Sequence, residues 1–551
     1  MAPSKPKAGH VNMMADTNIA NLPIEGLRAV MRGILANRPD CTPVFEEQTR
    51  QYLGETASRF SNITVIDQAA DGSFQTTGAF QQLRKRVCCM VGCGMCYQAL
   101  PLLQEIVDQV SQIKLGSGQS AIVDQIAGVD GDIIQAITAV QKTLFVESGS
   151  RDLSETERVP LEALLKSLTA CKAAWEQNSL PFVLERGLEA TIDLVNPALA
   201  AAPSINESFS EKAPRAISET FQMANVQLPR VFSGLWQLSS PAWGIAPRSK
   251  IMQQFSKHVE SGLTAFDMAD HYGDAEILFG QYRSSSAFSD SLFAATKYCV
   301  FHPMTVTADA IRSKVDERCQ RLRTDKIDLL QFHWQFYNDP QYIDALKYLQ
   351  QDSRIQHLGL CNFDTEHMQK AIESGVKVYT NQVQANERSK FSLIDSRPTV
   401  KMVEFCDKHD IKLLTYGTLL GGLLAEKWVG QAAPDLYAET MTPSLRKYFA
   451  MIQNWGGWDL FQELLRTLQS IGRKHNVSVS NVATRWVLDF KCVGAVIVGA
   501  RMGVSEQSEE NLASLGWSLD AEDQGLIQAI LDRSSRAEMF ESLGDCGGEY
   551  R

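Results

Sequence analysis

The sequence predicts an α/β protein in which an all-α region precedes a closed barrel of eight parallel strands, the (β/α)8 architecture. The chain has 551 residues, more than one hydrophobic core usually serves, so two domains are expected. The first 200 residues repeatedly place apolar side chains at helical spacing. After about residue 225, short apolar or β-branched runs alternate with amphipathic helices, which is typical of parallel strands joined by crossover helices.

The predicted helical domain covers residues 21–195 and follows a disordered N-terminus at residues 1–20. Its first helix carries an apolar stripe from Leu27 to Leu35, with Pro23 suited to the first turn. A second helix is expected to begin at Thr42-Pro43 and to bury Phe45, Tyr52, Leu53 and Phe60. Further stripes lie at 133–144, 161–175 and 184–195. A helical bundle of unknown function is the simplest interpretation.

The segment after residue 195 loses helical periodicity and gathers Ala, Pro and Ser, as linkers do. We therefore predict a linker at 196–222, a barrel domain at 223–540 and a C-terminal tail at 541–551. Because the barrel has a full set of strands, a shortened chain that begins near Val226 is expected to fold on its own.

Eight short runs are the predicted barrel strands. They lie near residues 230, 264, 291, 326, 355, 378, 411 and 493. Eight strand-helix units in just over 300 residues match the size of a closed barrel, whose active site lies at the carboxyl ends of the strands. The long segment between the last two strands is open to two interpretations, a lid over the site or additional helices.

Four ionisable side chains stand where the second, third and fourth strands end. Asp267 and Tyr272 follow the second strand, Lys297 the third and His333 the fourth. A tyrosine hydroxyl has a pKa of about 10 and is a poor acid at neutral pH unless a nearby cation favours its ionised form. Lys297 can supply that cation, and Asp267 can pair with the buried ammonium. His333 can hydrogen-bond a substrate carbonyl and orient it.

Three strings contain these residues, FDMADHYGDAE, ATKY and DLLQFHW, and they resemble the aldo-keto reductase superfamily over residues 225–540. The resemblance implies a TIM barrel and an NADP-dependent oxidoreductase that reduces an aldehyde or ketone to the alcohol. It implies that Tyr272 is the proton donor, that Lys297 lowers its pKa, that Asp267 supports the lysine and that His333 orients the carbonyl. A small-molecule carbonyl compound is the expected substrate.

The resemblance also implies where NADPH or NADP+ binds. In GLCNF, Asn362 would bond the carboxamide, and Cys361 stands where the family commonly has Ser. Tyr416 would stack on the nicotinamide, and Arg501 would lie near the 2′-phosphate. The full predicted cofactor set is Trp236, Asp267, Cys361, Asn362, Gln382, Tyr416, Leu419, Gly421, Gly422, Arg501, Gln507, Glu510 and Asn511. The backbone N–H groups of Leu419, Gly421 and Gly422 are expected near the pyrophosphate.

Aromatic residues near the predicted mouth suggest an apolar or aromatic substrate. Trp243, Trp334 and Phe336 are the predicted substrate-binding residues. The alternative is that some of them pack the rim of the barrel.

The sequence VCCMVGCGMC contains Cys88, Cys89, Cys93 and Cys96. The last three have a C-x3-C-x2-C spacing that resembles radical enzymes with an iron-sulfur cluster. That chemistry needs a barrel of its own after the motif, whereas the residues that follow read as helices. Buried reduced thiols are therefore the preferred interpretation, and no metal site is predicted.

Composition and charge limit the partners. Hydrophobic residues make up 44% and charged residues 21%, as in ordinary soluble proteins. A net charge of −11 without a clustered basic stripe argues against nucleic acid. No stretch approaches the roughly 20 apolar residues that cross a bilayer, so we expect no membrane partner and a cytoplasmic location. The basic first ten residues leave an organelle-targeting segment open.

A second function class also remains open. The barrel could sense the redox state of a nicotinamide with little turnover while the helical domain docks a protein partner, since a fold does not by itself prove catalysis.

Overall fold

The computed structural model describes residues 13–60, 63–69, 73–113, 120–146, 149–196, 211–239, 243–244, 246–301, 303–384, 392–435 and 443–545. The chain forms two compact units, Met1–Asn62 with Pro434–Thr442, and Ile63–Ala433 with Pro443–Arg551. No helix among the described residues is long and apolar enough to span a membrane.

The first unit contains the helices α1 (Met13–Asn21), α2 (Ile24–Asn37) and α3 (Thr42–Glu55). Pro43 lies in the first turn of α3, as predicted. Pro23 is the N-cap residue of α2, immediately before the first turn in which it was expected. Residues 13–20 are helical, which corrects the prediction of disorder for that part of 1–20; residues 1–12 lie outside the described residues.

The expected burial of the α3 stripe is wrong for two of its members. Leu53 is buried, but Phe45 is 41% and Tyr52 is 62% exposed. Phe45 and Tyr52 are seven residues apart and so share one face of the helix, and no element described in this unit covers that face.

The second unit begins with a helical region, residues 63–196. Its helices are α4 (Gly78–Gly92), α5 (Cys96–Val110), α6 (Ser120–Thr143), α7 (Glu155–Gln177) and α8 (Glu185–Val195). The predicted stripes are confirmed, since Ile133, Ile137, Leu161 and Leu164 are 0 to 1% exposed. Ser154 and Glu157 form a capping box before α7.

Two short hairpins interrupt the region that the sequence predicted to be all-α. Strands β1 (Ile66–Gln68) and β2 (Phe74–Thr76) form one, and β3 (Phe145–Val146) and β4 (Gly149–Ser150) form the other. Strands of two or three residues are too short to give a period-2 pattern in the sequence.

A hairpin of β5 (Thr220–Met223) and β6 (Val226–Pro229) precedes the barrel. It starts inside the segment 196–222 that the sequence assigned to a linker, of which residues 197–210 lie outside the described residues. Glu219 accepts from Arg485 at 2.9 Å and from Gly516 N–H at 2.7 Å. A shortened chain should therefore begin before β5 rather than at Val226, because that start would remove β5 and these contacts.

Eight parallel strands close the barrel. They are β7 (Val231–Gly234), β8 (Ala265–Asp267), β9 (Phe293–Val300), β10 (Leu329–Trp334), β11 (Leu358–Cys361), β12 (Thr380–Gln384), β13 (Lys412–Tyr416) and β14 (Val493–Gly499). Each pairs with its neighbours in chain order, and β14 pairs with β7. All eight predicted strands are confirmed, and the fold is the TIM-type barrel.

Helices follow most of the barrel strands, and the last three of them come after β14. These are α9 (Arg248–Glu260), α10 (Ala275–Ser285), α11 (Ala308–Arg321), α12 (Gln341–Gln351), α13 (Thr365–Glu373), α14 (Met402–His409), α15 (Pro443–Trp455), α16 (Gly457–His475), α17 (Val479–Leu488), α18 (Ser508–Leu512), α19 (Ala521–Leu531) and α20 (Arg536–Leu543). The long segment between β13 and β14, for which the sequence left a lid or additional helices open, contains α15 and α16. Their apolar residues, such as Trp455 and Phe461, pack in one cluster with Leu531 of α19, as additional helices do.

Alternate residues of each strand point into the barrel and sort by polarity. The lower interior is apolar and includes Phe232, Ala265, Phe293, Ala295, Leu329, Leu414, Ala495 and Ile497. Towards the carboxyl ends the same faces carry Asp267, Lys297, Gln331, His333, Cys361 and Gln382, all buried. The fold thus gathers its buried polar side chains at the end of the barrel where such proteins carry their sites.

Three charged side chains are buried where the helical region meets the barrel. Arg186 of α8 donates to both carboxylate oxygens of Asp274, at 2.6 and 3.2 Å. Asp130 of α6 accepts from Gly187 N–H at 2.7 Å. The guanidinium of Arg186 thus binds Asp274 directly and acts on Asp130 only through its charge. Burial raises the pKa of Asp130 to about 7, although Arg186 and the Gly187 N–H oppose the rise.

We expect Asp130→Asn to remove a pH dependence of stability. The pKa of Asp130 is about 7 in the folded protein and about 3.9 in the unfolded chain. The stabilisation from the protonated carboxyl is therefore complete below the unfolded pKa and is lost as the pH rises through the folded pKa. Between pH 5 and 8 the wild-type free energy of unfolding should fall by about 2 to 3 kcal/mol relative to the variant. Urea unfolding of both proteins measures this difference, and parallel pH curves would contradict it.

Candidate active site

A buried ion pair lies at the centre of the candidate site. Lys297 Nζ donates to both carboxylate oxygens of Asp267, at 2.9 and 2.7 Å, and to the carbonyl of Met268 at 2.8 Å. Lys297 is 2% and Asp267 is 3% exposed. Burial lowers the pKa of Lys297, but Asp267 more than offsets this, so the pKa lies above its ordinary value. The lysine is held as a cation.

Tyr272 lies in the turn after β8, and its hydroxyl is 3.4 Å from Lys297 Nζ. The ammonium also lies 4.8 Å from the centre of the ring. Burial raises the pKa of Tyr272 above its ordinary value, and Lys297 opposes that rise without cancelling it. The net shift is upward because the cost of burying a phenolate is larger than the attraction of the cation. The hydroxyl keeps its proton at neutral pH.

His333 and an aromatic neighbour line the same opening. His333 follows Gln331 by two residues on β10 and so faces the interior as well. Its ring lies edge-on to Phe301, with the ring centres 5.9 Å apart, and Phe301 lies edge-on to His271 at 5.1 Å. Phe301 is 41% exposed. Sequence reasoning missed it, although its position just after β9 was the available signal.

Two glutamines join the carboxylate of Asp267. Gln382 Nε2 donates to Asp267 Oδ1 at 2.6 Å and to Gln331 Oε1 at 3.1 Å, and Gln331 Nε2 lies 3.3 Å from Asp267 Oδ1. Both side chains are fully buried. Gln382 is among the residues predicted from the sequence and Gln331 is not, although a polar residue at an inward position of an apolar strand is a signal of such a site.

Gln382 leaves one buried acceptor without a donor. No hydrogen-bond donor among the described residues reaches its Oε1 atom, and a buried acceptor of this kind is costly. A bound group with an N–H donor, such as the carboxamide of a nicotinamide, fits that atom. The neighbouring Asn362 has a left-handed φ of 58°, and its N–H donates to Gln382 O at 2.7 Å.

Cys361, which precedes Asn362, is 2% exposed. Burial raises its pKa to about 12, so the side chain is a neutral thiol at the position where the resemblance implies a serine.

The loop after β13 has a glycine-dependent backbone. Tyr416 ends the strand, and φ is 64° at Gly421 and 94° at Gly422, which favours glycine. A Cβ atom on Gly422 would meet nothing within 4 Å, so a ligand can approach this backbone. The Gly422 N–H donates to Leu419 O at 2.9 Å.

The residues predicted to bind the adenosine end of the cofactor lie at or near the surface. Arg501 Nε donates to Trp243 O at 2.8 Å, and no carboxylate among the described residues lies within ion-pair distance of its guanidinium. The acidic neighbour Glu509 pairs instead with Arg215 at 3.0 Å. Three further residues of this end are placed on or beside α18: Gln507, Glu510 and Asn511, the first two exposed.

The structure does not bring all predicted substrate residues to the mouth. Trp334 is 1% exposed and packs with Phe332 on the outer face of β10, because it is one residue from the inward-facing His333. Phe336 packs edge-on to Trp334 as a half-buried residue. Trp236 and Trp243 do lie together, with ring centres 5.2 Å apart, and Trp236 is 41% exposed.

The cysteine string does not form a cluster site. Cys88 and Cys89 are exposed, while Cys93 and Cys96 are buried. Among the described residues, groups of at least three ligating side chains converge only at Asp270, His271 and Cys299 and at His475, Asp520 and Asp523. In the first of these groups, Asp270 is already paired with Arg318.

Comparison with known proteins gives an independent result. The sequence profile of the Aldo/keto reductase family matches residues 230–532, more than half of the chain. The chain belongs to the aldo/keto reductase family. The profile does not extend into the helical region or the first unit.

Curated relatives match part of this aldo-keto reductase. It is 24% identical over 327 residues to aldo-keto reductase YhdN of Bacillus subtilis, across 56% of this chain and 92% of the relative. It is 22% identical over 340 residues to the NADH-specific methylglyoxal reductase of Escherichia coli, across 57% and 97%. A shorter match, 28% over 188 residues, is to flagellar radial spoke protein 5 of Chlamydomonas reinhardtii, across 30% and 34%. A solved glycerol dehydrogenase from Gluconobacter oxydans is 25% identical, with a TM-score of 0.48 over 58% of this chain and 97% of the other.

Proposed function

We propose that this aldo-keto reductase reduces an aldehyde or ketone to the alcohol with NADPH, and that Tyr272 is the proton donor. The observation that carries the proposal is the buried contact of Lys297 Nζ with both Asp267 and the Tyr272 hydroxyl. An acid, a cation that stabilises its conjugate base, and a carboxylate that holds the cation are the groups that protonation of a developing alkoxide needs.

Each residue of this group has a proposed step. NADPH, when bound, supplies a hydride to the carbonyl carbon. Tyr272 gives its hydroxyl proton to the carbonyl oxygen, and Lys297 stabilises the tyrosinate that remains. Asp267 keeps the ammonium charged and directed at the hydroxyl. His333, on the inward face of β10, donates to the carbonyl oxygen and orients it.

We propose that the nicotinamide end of the cofactor lies against Asn362 and Gln382, whose unpartnered Oε1 would accept from the carboxamide. Tyr416 would stack on the ring, and Cys361 would line its edge. Substrate contacts are proposed for Phe301 and Trp243, which favours an apolar or aromatic carbonyl compound.

The test is turnover of a panel of aldehydes and ketones by the full chain with NADPH and with NADH. We expect oxidation of NADPH that depends on the carbonyl compound, and an aromatic aldehyde should be among the better substrates. No carbonyl-dependent oxidation of either cofactor across the panel would contradict the proposal.

A second candidate is a nicotinamide-sensing subunit, which the partial match to a radial spoke protein favours. A sensor would bind NADP+ tightly and turn over little, and its helical region would dock a protein partner. Comparing the rate of turnover with the rate of NADP+ release separates the two functions. A reductase releases one NADP+ in each turnover, so its two rates are comparable, whereas a sensor turns over far more slowly than it releases NADP+. We propose a cytoplasmic location for either.

We expect Arg501→Met to weaken NADPH binding by about 10- to 100-fold while NADH binding hardly changes. No carboxylate among the described residues pairs with this guanidinium, so it can make charge-assisted hydrogen bonds to a 2′-phosphate, worth about 1.5 to 3 kcal/mol. Quenching of tryptophan fluorescence measures both dissociation constants. Arg215→Met is the matched control, since this exposed arginine is already paired with Glu509. Equal losses for both cofactors would leave Arg501 without a phosphate role.

A further inference from the structure

The turn that carries Tyr272, residues 270–276 (the tyrosine loop), is held in place by hydrogen bonds from buried arginines. Arg318 of α11 donates to the carboxylate of Asp270 and to the carbonyl of Lys297, the latter at 3.1 Å. Arg321, on the next turn of the same helix, donates to the carbonyl of Gly273 and to Glu276. These two arginines belong to the barrel and hold the two ends of the loop.

A third arginine reaches the loop from outside the barrel. Arg186 of α8 makes the two-pronged contact with Asp274 described above, and the pair is 6% and 7% exposed. Gln141 of α6 also accepts from Arg321 at 3.0 Å. The helical region therefore contacts both the loop and the barrel arginine that supports it.

The carboxylate of Asp274 binds Arg186 instead of capping a helix. Asp274 stands at the N-cap of α10, where an aspartate ordinarily accepts from the first helix N–H groups, yet its side chain makes no such bond. Both carboxylate oxygens face Arg186 instead. Because removing one partner of a buried ion pair leaves the other charge uncompensated, loss of Arg186 should displace Asp274 and the loop with it.

We infer that Arg186 is a positioning residue for the reduction, through which the helical region sets the geometry of Tyr272. The inference rests on the proposed function, in which Tyr272 donates the proton. Tyr272 lies two residues from Asp274, and small displacements of a reacting group can cost on the order of 100-fold in rate. The helical region is then part of the catalytic unit rather than a passive neighbour.

The test is Arg186→Met in the full chain. We expect kcat to fall by about 10- to 100-fold while KM for the carbonyl compound and the NADPH dissociation constant stay within about threefold, because neither binding surface includes Arg186. Amide hydrogen exchange of residues 270–276 should speed up. Arg186→Lys keeps the charge but loses the bidentate geometry. Its kcat and its rate of loop exchange should lie between those of the wild type and those of the methionine variant.

Arg248→Met is the matched control. Arg248 of α9 pairs with Glu189 of α8 at 2.7 Å, so this variant also removes an ion pair between the helical region and the barrel. It does not touch the tyrosine loop, and its kcat and loop exchange should match those of the wild type. Equal effects of the two methionine variants, or a wild-type kcat in Arg186→Met, would overturn the inference.

A double variant keeps the test decisive if Arg186→Met does not fold. Arg186→Met with Asp274→Asn removes both charges of the ion pair, and without Arg186 the buried carboxyl of Asp130 binds a proton more readily. We therefore expect the double variant to recover thermal stability but not kcat; recovery of both would overturn the inference. Failure of the proposed function looks different. In that case the wild type and Tyr272→Phe would turn over equally. Amide exchange of the tyrosine loop in the Arg186 variants would still show whether the contact of Arg186 with Asp274 holds the loop.

Discussion

Tyr272→Phe is expected to lower kcat for carbonyl reduction by about 100- to 10,000-fold, the usual contribution of a positioned general acid. The ring, its edge-on contact with His271 at 4.8 Å and its contact with the ammonium remain. Lys297 loses only its longest hydrogen bond and keeps those to Asp267 and Met268. The NADPH dissociation constant should therefore change by less than a few fold. Steady-state kinetics and fluorescence titration measure the two quantities.

Tyr282→Phe is the control for this variant. Tyr282 is fully buried in α10 and stacks on Phe255, so the same atom is removed from the same barrel away from Lys297. Its kcat should stay close to that of the wild type. Full activity in Tyr272→Phe would refute the proton-donor role, and equal losses in both variants would point to a general effect of deleting a buried hydroxyl.

The barrel was predictable because its signals are local. Each strand is buried on both faces and reads as a short apolar run, and crossover helices separate the runs at regular intervals. Asp267 and Lys297 interrupt such runs with charge, which a strand interior does not tolerate without a partner. Their pairing could be anticipated from the sequence because adjacent parallel strands end at the same edge.

The errors on β10 have one cause: the face of the strand on which each side chain lies was not considered. Gln331 and His333 are two residues apart and point inward, while Trp334 is one residue further and points outward. Distance from the strand end alone does not tell which face of the strand an aromatic residue occupies. Applying the period of two from His333 would have rejected Trp334 and included Gln331.

Contacts of the helical region could not be predicted in the same way. Arg186 and Asp274 are separated by 88 residues, and no periodicity in either segment links them. An arginine on an amphipathic helix is usually solvated, and an aspartate before a helix is usually its cap. Only the packing of α8 against the tyrosine loop distinguishes these two residues from many like them.

Lys297→Met is expected to damage both catalysis and stability. The variant leaves the carboxylate of Asp267 buried, and among the described residues its remaining side-chain donors are the amides of Gln331 and Gln382. Breaking a buried pair in this way costs about 3 to 5 kcal/mol. The tyrosinate left by proton transfer also loses its cation, so kcat should fall by at least about 100-fold. Thermal unfolding and steady-state kinetics give the two effects.

Combining Lys297→Met with Asp267→Asn separates the two effects. The asparagine keeps an oxygen that can accept from Gln382, and no buried charge remains, so most of the lost stability should return. The rate should not return, since a neutral pair cannot stabilise a tyrosinate in a buried site. If kcat recovers with stability, the ion pair supports only the fold and the proposed chemistry of Tyr272 does not depend on Lys297. If stability recovers alone, the buried cation acts on the reaction itself.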